Sequence, residues 1–98
     1  MERGDLRWAQ LGRGKFRACA FEGSKFDEAD LQSSDLSGCL LRGCAMGRAD
    51  ARGAKMTGTD LRGSDVDTLL VDAADVRGAV VDAAQAMAFA RLLGLKIQ

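Results

Sequence analysis

An apolar residue recurs at every fifth position of the chain, from Leu6 to Val81, without a change of phase. The sixteen positions are Leu6, Leu11, Phe16, Phe21, Phe26, Leu31, Leu36, Leu41, Met46, Ala51, Met56, Leu61, Val66, Val71, Val76 and Val81. A period of five suits neither regular element, because it rotates successive residues by about 140° on an α-helix and alternates between the two faces of a flat strand. We therefore predict that the backbone turns a corner once in every five residues and winds as a coil around these side chains.

The phases beside these central residues support a coil. The residue two positions before each centre is small in fifteen of sixteen cases, with Leu69 as the exception. Because residues i and i−2 lie on the same side of an extended segment, the interior should take one large and one small side chain per repeat. Asp often precedes the centre and Gly often follows two positions after it, which suits an outward group and a corner.

The composition argues against several classes of protein. Acidic and basic residues number fourteen each, so the net charge of zero does not point to nucleic-acid binding. The chain contains no apolar run of membrane-spanning length and does not open on a basic-then-apolar leader, and we expect a cytoplasmic protein that binds no membrane. Three cysteines without metal-ligand spacing fit reduced thiols better than a disulfide framework.

The sequence offers little for catalysis. It has no His and no Tyr, and no Ser or Cys has an evident base beside it. Most of the aspartates fall on one phase of the repeat, which explains them as outward structural groups. No Gly-rich loop precedes a helix in a phosphate-binding pattern. We therefore predict a protein that is not an enzyme, with no catalytic residue, no cofactor and no metal site.

The clearest repeats are Ala29-Asp30-Leu31, Ser34-Asp35-Leu36-Ser37-Gly38, Thr59-Asp60-Leu61-Arg62-Gly63 and Ala74-Asp75-Val76-Arg77-Gly78. They resemble the A(D/N)LxG unit of pentapeptide repeat proteins, and the resemblance extends over residues 4–83. It implies an all-β solenoid, a right-handed quadrilateral parallel β-helix of about four coils with four repeats in each. Identical phases would then stack every twenty residues, and the undersized Ala51 would leave a small void or draw the backbone inward.

The same stacking would make Cys19 and Cys39 vertical neighbours, since they lie twenty residues apart. We expect two packed thiols there, with a strained vertical disulfide as the alternative.

The period ends after Val81, where Asp82-Ala83-Ala84-Gln85 has the pattern of a helix capping box. Apolar residues then share one helical face, and Gly94 suits the position after a helix. We predict a helix over residues 83–93 that covers the last coil. The chain then divides into a β-helix over residues 4–82 and a C-terminal capping helix with its tail over residues 83–98.

The stretch from Val80 to Leu95, with its VDxxQAxAFA core, is similar to the end of the mycobacterial fluoroquinolone-resistance members of this family. The resemblance implies a homodimer through the C-terminal helix, and the alternative is that the helix only plugs the coil. The candidate residues for this cap or dimer contact are Met87, Phe89, Leu92, Leu93 and Leu95, and Ile97 is available to a partner as well.

The N-terminal end has no comparable cap in the sequence. Trp8, two positions after a centre, should point outward beside this open end. It is either ordinary surface or part of an interface.

The resemblance also implies a function, because quinolone-resistance members are thought to bind DNA gyrase or topoisomerase IV as DNA mimics. The most acidic face should carry Asp5, Asp27, Glu28, Asp65 and Asp67, for a net charge of −2, while another face comes to +2. Duplex DNA carries a charge about every 1.7 Å, so this contrast is weak. We predict a protein-interaction module whose most specific partner is a topoisomerase. The alternative is a structural or scaffolding repeat protein with an unknown partner.

Overall fold

The computed structural model describes residues 4–94 and shows a solenoid. Parallel β-bridges join residues exactly one coil apart, beginning with Asp5 to Lys25 and ending with Asp60 to Val80, and each spans twenty residues. Since the sequence repeats every five residues, four repeats make one coil. We call residues 4–23, 24–43, 44–63 and 64–82 coils 1, 2, 3 and 4. The described part measures 39 × 22 × 22 Å along its principal axes.

Corners form because the third residue after each centre bonds back to the centre. The amide of Ala29, for example, donates to the carbonyl oxygen of Phe26 at 2.9 Å. The residue between them, two after the centre, takes positive φ. Glycine fills this position at Gly38 and Gly53, but six residues other than glycine adopt it as well, with φ from 59° to 68°: Trp8, Arg13, Ala18, Glu28, Ser33 and Arg48. The corner is therefore set by the coil and not by glycine alone.

The predicted interior is confirmed in coils 2 and 3. Their central residues are all buried, at Phe26, Leu31, Leu36, Leu41, Met46, Ala51, Met56 and Leu61. The small residues two positions before them are buried too, as Ala29, Cys39 and Ala49 illustrate. Coil 1 closes less completely, since its centres are only partly buried against this core.

Ala51 has a counterpart one coil away. Leu69 occupies the phase that otherwise holds small residues, on the same face in coil 4, and its side chain is only 1% exposed. Both residues belong to the one buried cluster. We infer that the large Leu69 supplies the volume that Ala51 lacks, because core packing tolerates few empty spaces.

Coil 4 departs from the regular repeat. A 3₁₀ helix over Ala73–Val76 replaces the strand that the period predicts around Val76. Asp72 and Asp75 produce it, since the Asp72 amide donates to Oδ2 of Asp75 at 2.8 Å and the Asp75 amide donates to the Asp72 carbonyl at 3.0 Å. Such local bonds compete with ladder pairing.

The 3₁₀ helix corrects two expectations about the interior. Ala74, expected to point inward, is exposed, and Val76 is only half-buried. Coil 4 also forms fewer backbone hydrogen bonds to its neighbour. Twelve such bonds join coils 1 and 2, twelve join coils 2 and 3, and six join coils 3 and 4 within the described residues.

The C-terminal helix α1 spans Ala83–Leu92, one residue shorter than the predicted range. The capping box is present, because Oδ1 of Asp82 accepts from the Gln85 amide at 2.8 Å while Oε1 of Gln85 accepts from the Asp82 amide at 3.0 Å. Gly94 follows the helix with φ of +76°. In the described range, no helix is long and apolar enough to cross a membrane.

One side chain fastens α1 to the solenoid. Nε2 of the buried Gln85 donates to the carbonyl oxygens of Leu61 and, at 2.8 Å, Ser64. Ala88 and Phe89, each 6% exposed, join the hydrophobic core from the same side of the helix. The helix therefore packs on the end of the coiled region.

Candidate interaction surfaces

The residues predicted for the cap or dimer contact separate into two groups. Phe89 is buried in the core, whereas Met87 is 52% and Leu92 37% exposed. Leu93 is partly buried. Leu95, together with Ile97, lies outside the described residues. The helix thus uses one side to pack on the coil and keeps apolar side chains on its solvent side.

An apolar groove of about 260 Å³ lies between α1 and the end of coil 4. Its lining is Val76, Ala79, Val81, Ala86, Phe89, Ala90 and Leu93. Every one of these residues is apolar, so water in the groove finds few hydrogen-bond partners there. Such a groove next to exposed apolar side chains is typical of an interaction site.

The acidic face predicted from the sequence is largely engaged in local bonds. Asp5 pairs with Arg7 at 2.7 Å, and Glu28 pairs with Arg48 at 3.4 Å. Oδ1 of Asp27 accepts from the amide of Gly47 at 2.9 Å. The remaining two predicted residues, Asp65 and Asp67, are exposed in coil 4.

Three aspartates share one ion-pair geometry with the arginine two residues later. In the pairs Asp5–Arg7, Asp50–Arg52 and Asp60–Arg62, the guanidinium Nε donates to Oδ1 and its terminal nitrogen to Oδ2. Asp60 is the most enclosed of them, with 9% of its side chain exposed, and Arg42 approaches it at 3.9 Å. Hydrogen bonding to Arg62 lowers the pKa of Asp60 from 3.8 to about 2.

We predict that Asp60→Asn lowers the melting temperature at neutral pH, because it removes a bidentate ion pair from an enclosed site. A carboxyl whose pKa is lower in the folded state stabilises that state above its unfolded pKa, and this contribution is lost as the pH falls through the folded value. The difference between variant and wild type should therefore shrink as the pH falls from about 4 to about 2. Thermal melts at several pH values test this.

Asp67→Asn provides the control, because Asp67 is exposed and its side chain forms no ion pair within residues 4–94. It should melt like the wild type at every pH. If the melting temperature of Asp60→Asn stays below that of wild type by the same amount down to pH 2, the ionised Asp60 carboxylate is not the source of the stabilisation.

The cysteines are unpaired, but the prediction of packed thiols at Cys19 and Cys39 is confirmed only for Cys39 and is wrong for Cys19, since coil 1 is less completely packed than coils 2 and 3. All three are free; Cys39 and Cys44 are buried, while Cys19 is exposed in coil 1. The Sγ atoms of Cys39 and Cys44 donate to the carbonyl oxygens of Phe16 and Phe21. Burial raises the pKa of both thiols, so they are poor nucleophiles.

The structure places Trp8 outward at the N-terminal end, as predicted, with 73% of its surface exposed. Other exposed apolar residues were not anticipated. Leu40, Leu70 and Val80 occupy the outward phase that more often holds Asp, and each is exposed. An apolar residue at the position just before a centre is the sequence signal that could have predicted these exposed side chains.

No group of three or more His, Cys, Asp or Glu side chains within residues 4–94 is arranged to hold a metal ion. The candidate interaction surfaces are the apolar groove beside α1, the exposed Trp8 at the N-terminal end and the charged side chains on the outer faces of the coils.

Comparison with known proteins identifies the fold. HetL, a pentapeptide repeat protein involved in heterocyst differentiation regulation in the cyanobacterium Nostoc sp. strain PCC 7120, is 20% identical, with a TM-score of 0.54 over 78% of this chain and 46% of HetL. The chain thus spans about half the length of that protein. Rfr23 from the cyanobacterium Cyanothece 51142 is 22% identical over 85% of this chain and 60% of its own, with a TM-score of 0.43.

Full-length QnrB1, a plasmid-mediated fluoroquinolone resistance protein, is 19% identical over 96% of this chain and 87% of its own, with a TM-score of 0.37. No curated protein matches the sequence. A family model of pentapeptide repeats matches in eight copies, over residues 5–43 and 35–66, which is more than half of the chain. The chain therefore belongs to the pentapeptide repeat family.

Proposed function

We propose that this protein is a non-enzymatic interaction module that forms a homodimer through its C-terminal segment and binds a protein partner in the cytoplasm. The apolar groove beside α1 carries the proposal. A two-fold dimer presents the same patch from both subunits, so exposed apolar side chains of α1 in one subunit can cover the groove of the other. Free thiols suit a reducing compartment.

The proposal includes the finer architecture that the resemblance implies. The β-helix over residues 4–82 is right-handed and quadrilateral, with about four coils, and residues 83–98 comprise the capping helix and its tail. The burial of Phe89 and the bonds of Gln85 support a capping role for α1, because an uncovered solenoid end exposes its core. Capping and dimerisation are compatible, because Phe89 is buried against the coil while Met87 and Leu92 on the same helix stay exposed.

The test of the dimer is the double variant Met87→Glu/Leu92→Glu, measured by light scattering on a sizing column. We expect a dimer for wild type and a monomer for the variant, because two carboxylates placed in an apolar contact cannot be desolvated cheaply. Leu40→Glu is the matched control, since Leu40 is as exposed as Leu92 but lies on the wall of the solenoid. Equal masses for all three proteins would refute the dimer contact.

The proposed partner is DNA gyrase or topoisomerase IV, and two observations support it. The first is the similarity of Val80–Leu95 to the end of the quinolone-resistance members. The second is that charge is concentrated by coil more strongly than by face: coil 4 has five aspartates and one arginine, for a net charge of −4. Because coil 4 adjoins α1, a dimer through α1 would bring two such coils together at its centre, which is the charge pattern that a DNA mimic needs.

A supercoiling assay with purified gyrase, run with and without ciprofloxacin, tests this partner. Wild-type protein at micromolar concentration should inhibit supercoiling or protect it from the drug. Replacing Asp65, Asp67 and Asp72 by Asn should abolish the effect, whereas replacing Asp27, Glu28 and Asp30 of coil 2 by their amides should preserve it. Without inhibition or protection by wild type, the alternative stands: a scaffolding repeat protein with another partner.

A further inference from the structure

Residues 71–79 have the length of a regular ladder segment but lack its central bridge. Bridges to coil 3 at Leu70 and at Val80 hold the chain in the twenty-residue register on both sides of this stretch. In the described part of the chain, no bridge joins Asp75 to Lys55, where this register would place it. Nine residues separate the bridged positions in coil 4, as they do in coil 3, so chain length does not force the 3₁₀ helix. The 3₁₀ helix is therefore one of two conformations that the same number of residues allows.

Coil 3 presents unused backbone groups to this stretch. Between coils 2 and 3, the Leu36 amide donates to the Lys55 carbonyl at 2.8 Å and the Lys55 amide donates to the Ser34 carbonyl at 2.9 Å. The equivalent groups one coil later are the amide of Met56 and the carbonyl of Ala54, and neither has a backbone partner among the described residues. Met56 is 1% exposed, and a buried amide without a partner is unfavourable. A strand in coil 4 would satisfy both groups.

The side chains of the stretch also suit a strand. Residues 74–78 (ADVRG) differ at only two positions from residues 59–63 (TDLRG), which form a bridge and a bidentate ion pair. As a strand, the stretch would place Asp75 opposite Lys55, which forms no ion pair among the described residues. Opposite charges across neighbouring strands are favourable. The half-buried Val76 would also turn inward and bury more apolar surface.

The corner at Ala73 disfavours the strand. The equivalent corners of coils 2 and 3, at Ser33 and Gly53, have φ of 59° and 78°. Ala73 lies in the 3₁₀ helix and does not adopt positive φ. Positive φ is unfavourable for a residue with a Cβ atom, and in coil 4 the local bonds between Asp72 and Asp75 offer an alternative that avoids it. The two conformations therefore oppose a strained corner with better pairing against a relaxed corner with local bonds.

We propose that residues 71–79 are a two-state segment, which exchanges the 3₁₀ form for a ladder form in which Asp75 pairs with Lys55 and Val76 enters the core. The exchange alters the apolar groove beside α1, because Val76 lines that groove in the 3₁₀ form. An occupant of the groove that contacts Val76 therefore favours the 3₁₀ form. The two states are a property of the single chain, so the proposal is independent of the C-terminal dimer and of any topoisomerase.

The test is Ala73→Gly in the full chain, followed by NMR. Ala73 is exposed, so the substitution removes no packed side chain. Glycine accepts the positive φ of the ladder corner, and the equilibrium should shift toward the ladder form by about five- to thirty-fold. The Cα chemical shifts of residues 74–76 should move from helical toward extended values, and nuclear Overhauser contacts should appear between Lys55 and Asp75. Ala18→Gly is the matched control, because Ala18 is at a corner that already has φ of 59°, and it should leave those shifts at wild-type values.

A second substitution tests the pairing of the ladder form. Added to Ala73→Gly, Lys55→Gln should return the equilibrium toward the 3₁₀ form by up to about five-fold, because Asp75 loses the charge opposite it. Wild-type chemical shifts at residues 74–76 in Ala73→Gly would overturn the two-state segment. An equal change in Ala18→Gly would overturn the role of the corner at Ala73. Chemical shifts that do not respond to Lys55→Gln in the Ala73→Gly protein would overturn the pairing of Asp75 with Lys55.

Discussion

Replacing Phe89 by Ala should lower the free energy of unfolding by about 3–5 kcal/mol. Phe89 is 6% exposed and is the largest side chain that α1 contributes to the core. Its loss removes the apolar contact that holds the helix to the coil and leaves a cavity that the backbone of a stacked solenoid cannot easily close. Denaturant melts followed by circular dichroism measure the change.

Met87→Ala is the matched control, since Met87 lies two residues earlier on the same helix but is half exposed. Its effect on monomer stability should stay within about 0.5 kcal/mol. The comparison should be made at a protein concentration low enough to exclude dimers. If both variants have the same free energy of unfolding, the burial of Phe89 against the coil does not stabilise the protein.

Replacing Leu69 by Ala should have the second largest effect, a loss of about 2–5 kcal/mol. Leu69 is the one large residue in the small phase and is almost completely buried. Because Ala51 occupies the corresponding large position one coil above, the variant would have two alanines where the core needs one large side chain. Little nearby volume can compensate.

The companion variant Ala51→Leu tests whether the two positions share a space. Alone it should destabilise by overpacking, at about 1–3 kcal/mol. Combined with Leu69→Ala it should recover part of the loss, and a double-mutant cycle over the four proteins gives the coupling. Strict additivity would show that Leu69 fills a space unrelated to Ala51.

Much of the fold could be predicted from the period of five, because a side chain that must point inward at every fifth residue leaves the backbone few choices. The capping box of Asp82 and Gln85 likewise gave the start of α1, since both partners are local in sequence. The 3₁₀ helix could not be predicted from the period. The repeat continues through Val76 in the sequence, and only the competing bonds between Asp72 and Asp75 displace it.

The candidate surfaces were predicted less completely than the core. The Asp-x-Arg spacing of the ion pairs is visible in the sequence at Asp50 and Asp60. The same spacing at Asp75 gives no ion pair within residues 4–94, because Asp75 lies in the 3₁₀ helix. The concentration of negative charge in coil 4 becomes visible only when the coil length is known. The structure also shows that Phe89 is buried and Met87 is exposed, and the helical pattern alone could not distinguish them.

The attachment of α1 through Gln85 has a mechanical consequence. Gln85 bonds to Leu61 in coil 3 and to Ser64 at the first residue of coil 4, so the rest of coil 4 forms a loop between two anchored points. A pulling force applied at the C-terminal end of α1 would pass through the Gln85 bonds and the buried Phe89 into the densely laddered coils. Coil 4, with half as many ladder bonds, would carry little load until that link broke. Coil 4, which has the fewest ladder bonds, is thus protected from tension because it lies between two points that α1 holds together.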